Sequence, residues 1–496
     1  MRWLIAWLAL ATADAAGQSV EPTPTIIQIR PASAPVPALK YRFLPDRSEL
    51  VPGNAAVFYH RAILTLTSNR RNVSEQNRAE GKPKSNEDPA VRWLGGPIGA
   101  IPLDAAKAHL ELHRRALKEA ELGSLRATCD WEFDSRDDGF DLFLPEIQEM
   151  REVGRLAALS ARVAVLAGEF DAALHWIQVG SAMARHTSQG PTLIQALVGV
   201  SMQGQLIRPI EDLIQSPGAP SYAWALARRP RPVIDLARPL EGERAQIGRA
   251  IPEFGQLDVG PMSVDEAKRL GDGIRRKLGQ LSRSPSLAWT WAEPAAADAG
   301  PPPLDGFAAR LAFASMVASA YPDARRSLVA GGRPAAVVEA MPAMQAVGIA
   351  TLRDFERIRD DVDRWSALPY WQGVGPADRA SREATERAKA GGPLLAALVS
   401  LLPTTRGAQL AALRLERQLD ALQCIEAIRL YAGAHGGALP PDLASIAEAP
   451  VPIDPATGRP FQYEAAGTTA TLRGPLPEGA PKHPSYLIRY ELKSAP

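Results

Sequence analysis

Apolar side chains recur about once per helical turn over most of this chain, and that period predicts a mainly α-helical protein. The clearest stripe opens at Pro145, where Ile147, Met150, Val153, Leu156, Leu159 and Val163 follow the helical repeat. Helical patterning continues to about residue 214 and is interrupted at Gly190-Pro191. Asn54 is suited to cap a helix that begins Ala55-Ala56-Val57-Phe58-Tyr59, and Asp104 a second one that reaches about Gly123. Prolines 217, 220, 230, 232 and 239 leave room only for short helices over 217–240. Further helices are predicted near 240–251, 304–320 and 341–368, the last carrying the stripe Leu352, Phe355, Ile358, Val362 and Trp365. On that helix Arg353, Asp354, Arg357, Asp360 and Asp361 lie largely off the stripe, as on a solvated face. A long helix over about 406–434 shows Leu415, Leu419, Leu422, Ile425 and Ile428, and Gly436-Gly437 ends it. The period then changes to two in Phe461–Glu464, Thr468–Leu472 and Tyr486–Leu492, with turn residues at 454–460 and 466–467. A small C-terminal antiparallel β-sheet packed on the long helix is expected, after a multi-helix array of αα-hairpins.

The ends and the breaks suggest an organisation. Met1-Arg2, an apolar run from Trp3 to Ala11 and the small residues Ala13-Asp14-Ala15-Ala16 read as a secretory signal peptide over 1–16. Prolines 22, 24, 31, 35 and 37 mark 17–40 as an extended tether. A helical domain is expected over 41–282, interrupted by a polar loop at 70–90. A linker rich in Pro, Ala and Gly occupies 283–306, a second helical region 307–403, and the long helix with its sheet 404–496. Apolar runs such as 394–402 are shorter than the roughly 20 residues needed to span a bilayer, so no stable transmembrane span is expected after signal cleavage. The expected location is the periplasm or cell envelope, with the extracellular medium left open.

Composition narrows the function classes. The chain has 496 residues, 46% of them hydrophobic, and a formal net charge of +1. There is no basic footprint for a nucleic acid. The two cysteines, Cys129 and Cys424, can either close one disulfide in an oxidising compartment or stay as buried thiols.

Catalytic motifs do not emerge. Gly199-Val-Ser201-Met-Gln203 lacks the second glycine of a nucleophile elbow. No nucleotide-binding glycine loop is present. Cys424 lies beside Ile425 in mid-helix, where desolvation raises a thiol pKa. His109 and His113 stand four apart on one helix face, a spacing that can bind a metal, but Glu111 points elsewhere and a solvated face is the expected state. Asp134, Asp137, Asp138 and Gly139 partly fit a calcium loop, yet Arg136 takes a ligand position and Pro145 the place of the bidentate Glu. Those carboxylates are expected to decorate a turn whose Trp131, Phe133, Phe140 and Phe143 are buried. Catalytic residues are therefore unknown at this point, and neither a metal nor a cofactor is expected.

Three resemblances add to this reading. Residues 157–185, with Gly168, Phe170, Ala173 and Leu174, resemble one tetratricopeptide unit, although Gly180 and Ser181 replace its usual Ala-Leu. The segment from the long helix through Pro440, Pro455, Gly458 and Tyr463, about 406–492, resembles the soluble fold of pseudopilins, without their leader or membrane helix. Over most of its length, through Tyr41–Pro45, Pro52–Ala56, Cys129–Trp131, Gly190–Ile194 and Leu422–Tyr431, the chain resembles exported helical proteins of planctomycete-type bacteria. That last likeness implies an address, not a mechanism. The expectation is a non-enzymatic exported scaffold that binds a protein or envelope component. The alternative is an envelope-polymer hydrolase with dispersed carboxylates.

Overall fold

The computed structural model describes residues 23–79, 88–132, 145–281, 306–402 and 405–494. Strand β1 (Thr25–Ile29) is followed by β2 (Val51–Asn54), α1 (Ala55–Ala79), α2 (Pro89–Gly95), α3 (Leu103–Leu112), α4 (Arg114–Ser124) and β3 (Arg126–Thr128). Next come α5 (Pro145–Leu166), α6 (Phe170–Ser188), α7 (Leu193–Gln205), α8 (Ile207–Gln215) and α9 (Ala223–Ala227). Then follow α10 (Ala237–Ala250), α11 (Glu253–Gln256), α12 (Val264–Leu281), α13 (Phe307–Ala330), α14 (Ala335–Glu339), α15 (Ala343–Asp363), α16 (Tyr370–Ala390) and α17 (Pro393–Ser400). The chain closes with α18 (Thr405–Ala434), β4 (Ile453–Asp454), β5 (Arg459–Pro460), β6 (Gln462–Ala466), β7 (Thr469–Gly474) and β8 (Ile488–Ser494). The protein is mainly α, with a small C-terminal antiparallel sheet, as the periodicity implies.

Two compact units share these elements. Unit 1 combines Met1–Trp131, Leu144–Pro239 and Arg406–Pro496; unit 2 comprises Glu132–Phe143 and Leu240–Thr405. This division corrects the expected domains. Residues 240–281 do not belong with 41–239, because Ile247, Ile251, Phe254, Ile274 and Leu278 share one core with Val317, Leu328, Phe355 and Leu398. Residues 404–496 are no separate module either, since α18 lies at the centre of unit 1. The proposed linker at 283–306 and the signal peptide at 1–16 lie outside the described residues, save for Gly306.

The second correction concerns the tether. Within 17–40, Thr25–Ile29 pairs in parallel with β8, with Ile27 opposite Leu492, giving the sheet order β1-β8-β7-β6. Ile27 and Ile29 are fully buried. The prolines set the bounds of this strand without entering it, because its amide groups are needed for the ladder. Segment 30–32 then lies directly on α18, where Ala32 N donates to Arg429 O at 3.2 Å. A side chain at Gly433 would place its Cβ 2.2 Å from Ala32 O, so glycine is what admits this contact. Within this sheet β8, β7 and β6 are antiparallel, and Gly467 turns between β6 and β7 at φ 61°; β2 and β3 form a separate parallel pair.

Elsewhere the helical readings hold with local adjustments, except that residues 70–79 of the expected polar loop at 70–90 continue α1 and 89–95 form α2. Every stripe residue of α5 named above is buried, and so are all five named on α18. Asn54 Oδ1 accepts from Ala56 N at 3.1 Å, which caps α1. The helix expected from Asp104 to Gly123 is two helices that meet at His113, and Asp104 sits in the first turn after the cap position Pro102. In α15, Phe355 and Ile358 are buried, while the charged side reaches neighbours in unit 2: Asp360 pairs with Arg244 at 2.7 Å and Asp361 with Arg387 at 2.8 Å. The one stretch among the described residues long and apolar enough to cross a membrane is Pro393–Ala434. It is divided into α17, whose Leu394, Leu395 and Leu398 fill the unit 2 core, and α18, which carries buried charges.

Ile27 packs with no exposed surface on both a strand and the helix layer, so Ile27→Ala is expected to destabilise the fold by about 2–5 kcal/mol. Chemical denaturation is the measurement; a change no larger than that of a surface substitution means β1 is dispensable.

Candidate functional site

The densest polar chemistry in unit 1 lies on α18. Arg417, Asp420, Gln423, Glu426 and Arg429 are spaced by three, and each is at most 2% exposed. Three residues advance a helix by about 300°, so such a series winds around the helix instead of facing one direction. Each member therefore meets a different segment. Arg417 grips Asp454 with two parallel bonds, Nε to Oδ1 at 2.8 Å and Nη2 to Oδ2 at 2.7 Å, and donates to Pro475 O and Tyr486 O. Gly474 makes room for this, since a Cβ there would stand 2.6 Å from Arg417 Nη2. Asp420 receives Arg229 at 2.6 Å and Arg231 at 2.8 Å. Glu426 accepts from Ser221 Oγ and Tyr222 N, and Arg429 reaches Ala219 O, Arg30 O and Glu426. The charges are matched and their lone pairs engaged, so the stripe braces the fold and leaves none of these charges unmatched for a substrate.

A second brace stands on α5. Arg162 is fully buried and pairs with Asp212 of α8 at 2.6 Å. It also donates to the carbonyls of Trp93, Leu94 and Gly96 at the end of α2. Carbonyls at a helix C-terminus carry partial negative charge, so a guanidinium there satisfies groups the helix leaves open.

Beside this brace, α3, α4, α5 and α6 enclose an open groove of about 420 Å³. Leu110, Leu117, Val163, Ala164 and Trp176 form its apolar lining, and Lys107, Glu111, Arg114, Lys118, Glu121 and Glu169 its charged lining. Glu111 pairs with Arg114 at 2.9 Å, and Glu121 with Lys118 at 2.8 Å and His175 at 3.1 Å. Glu169 has no cationic partner among the described residues. The α5–α6 hairpin that forms one wall turns at Gly168, with φ 74°, and buries Ala173 and Leu174.

The residues singled out in the sequence do not converge. His109 and His113 are adjacent, with ring centroids 5.0 Å apart, but His113 is 4% exposed and His109 packs edge-on against Trp93, so the pair is not a solvated face. Asp88 Oδ1 is 3.6 Å from His109 Nε2, too far for a hydrogen bond, and Arg155 stands 4.0 Å from the same carboxylate. No cluster of three or more metal-ligating side chains occurs among the described residues. Burial, with the neighbouring His109 and then Arg70, pulls His113 down to about 4; burial and Arg185 bring His186 down to about 4 as well. Ser201 sits in mid-α7, not at a strand-to-helix elbow. Both cysteines are free thiols, so no bridge ties Cys129 to α18. Burial pushes Cys129 up to about 12 and Cys424 well above its ordinary value, which leaves neither poised as a nucleophile. Trp131 is buried as expected, whereas the acidic turn at 134–139 with Phe133, Phe140 and Phe143 lies outside the described residues.

No protein-family model, no curated protein and no solved structure matches this chain.

Removing one partner of the Arg417–Asp454 pair strands a buried charge. Arg417→Ala is expected to cost about 3–5 kcal/mol, and the double replacement Arg417→Met with Asp454→Leu clearly less than the two single changes together. Denaturant unfolding of the four proteins measures this; additive losses mean the pair is not coupled. The histidines add a pH dependence. Below about pH 6.5 the unfolded chain takes up protons that buried His113 and His186 refuse until about 4, so stability falls across that window and levels off beneath it. His113→Gln is expected to flatten part of that slope, read from unfolding curves between pH 7 and 4, and an unchanged slope assigns it to other groups.

Proposed function

We propose that this chain is an exported, non-catalytic helical scaffold of the cell envelope, whose α3–α6 groove holds an amphipathic helix of a partner protein. The observation that carries the reading is the groove itself. It combines an apolar floor of Leu110, Leu117, Val163 and Trp176 with charges of both signs on its rim. An amphipathic helix matches that chemistry, apolar face down and charged flanks against the rim. Trp176 is half-buried and supplies the large aromatic surface from which binding energy is usually drawn. The rim carboxylates argue for contact over catalysis, because Glu111 and Glu121 are already matched by Arg114, Lys118 and His175. A general acid or base needs a proton to exchange with a substrate, and an ion pair holds its carboxylate in one state. Export rests on the composition of residues 1–16, and the likeness of the α5–α6 hairpin to a tetratricopeptide unit fits a binding role.

A photo-crosslinking residue placed at position 107 in the full chain tests this in envelope extracts. A single partner is expected, with its cross-linked peptide an amphipathic helix. Trp176→Ala is expected to weaken that partner roughly tenfold or more, and Arg114→Glu with Lys118→Glu by a smaller, salt-dependent factor. Cross-links no different from those at the highly exposed Arg326 overturn the reading. Release of fragments from an envelope polymer, abolished by Glu169→Gln, replaces it with hydrolysis.

A further inference from the structure

Unit 1 contains a small cavity of about 10 Å³ among Phe43, Ser181, Gln203, Ile210, Arg229 and Leu419. Three of these residues are polar, and all three are buried: Ser181 is 2%, Gln203 3% and Arg229 7% exposed. Each of these lining residues also has one buried atom that no protein group satisfies, Ser181 Oγ, Gln203 Oε1 and Arg229 Nε.

Arg229 shows why its Nε–H is the group left over. A guanidinium has five N–H donors. Its two terminal nitrogens serve Leu226 O, Gln423 Oε1, Glu416 and Asp420, which uses the other four. Those contacts hold the plane of the side chain and fix the direction of Nε–H. A buried donor or acceptor without a partner costs about 1–3 kcal/mol, and three beside one cavity are not tolerated without compensation.

We infer that this cavity is a binding site for a single ordered water molecule, held by Ser181, Gln203 and Arg229. The volume is about that of one water-sized probe, the lower bound for such a site. The donor count also closes. The water accepts from Arg229 Nε–H, donates one hydrogen to Gln203 Oε1 and the other to Ser181 Oγ. That makes three hydrogen bonds, the number a buried water ordinarily forms. A cation is disfavoured by the guanidinium, and the cavity is too small for a polyatomic ligand. The bridge joins α6 and α7, which carry Ser181 and Gln203, to the Arg229 node that is already paired with Asp420 on α18. The water thus extends the polar brace of α18 into the helical hairpins.

A high-resolution crystal structure of the full chain tests the site directly. The expected result is one solvent peak within about 2.7–3.2 Å of all three atoms. An empty cavity, or side chains turned to other partners, overturns the proposal. Gln203→Met keeps most of the volume and removes the acceptor; a melting temperature lower by a few degrees is expected, with the solvent peak weakened or lost. An unchanged or raised melting temperature means Oε1 had nothing to hold, and also counts against the site.

Discussion

A charge taken out of water has to meet its opposite, and in this protein that requirement organises unit 1. Arg417, Asp420, Glu426 and Arg429 are carried on one helix and are almost wholly hidden from solvent. Leaving any of them alone would cost several kcal/mol, a large part of the margin by which a domain is stable. The partners come from Asp454 at the end of β4, the β7–β8 connection, the segments 219–222 and 229–231, and the backbone at Arg30. Apart from the short strand β4, each of these is an irregular stretch with little periodicity of its own. Bonding to α18 is what gives them a place. Hydrophobic burial fills the core, but the geometry of the loops follows from the directions in which these side chains leave the helix.

The same constraint bears on how the chain closes. Arg429 reaches Arg30 across 399 positions, and β1 pairs with β8, so unit 1 is complete only when both ends are present. Bringing distant segments together costs loop-closure entropy before any contact repays it. The local helical hairpins, above all α5 with α6, carry no such cost and form a natural starting surface. On that view the sheet and the charged brace lock an assembly that the apolar stripes have already collected.

What the sequence disclosed and what it hid divide along this line. The stripes of α5 and α18 were legible because burial on one flank imposes a helical period, and Gly436-Gly437 marked the end of α18 because both glycines adopt positive φ. The strand at Thr25–Ile29 was hidden by the prolines around it, although Ile27 and Ile29 already show the period of two. Its partner lies at the other end of the chain, and no local signal could point there. The buried charges escaped because charged residues on a helix are usually read as a solvated face. A usable signal was nevertheless present. A polar residue every third position cannot stay on one face, so on an otherwise apolar helix it must turn inward somewhere. The groove was readable only in parts, since Leu110, Leu117, Val163 and Trp176 come from four helices whose convergence is a tertiary fact. The single helix read over 104–123 divides at His113, whose amide bonds back to Leu110 O and takes the chain out of the helical path.

A division of labour between brace and groove follows from magnitudes. The pairs around the groove, Arg114 with Glu111 and Lys118 with Glu121, have largely exposed cations, and such pairs are worth at most about 1 kcal/mol each. The pairs on α18 and α5 are dry, and breaking one costs several times as much. Rim charges can therefore be exchanged while the fold hardly responds, whereas Arg162, adjacent in sequence to the groove residue Val163, cannot. That neighbourhood is useful to a binding surface. Arg162 ties α5 to α2 and α8, so the floor of the groove is held in place by a side chain that does not line it. For the partner helix proposed above, a floor fixed in this way would lose little freedom on association, and contacts to Leu110, Val163 and Trp176 would not be spent on ordering the site.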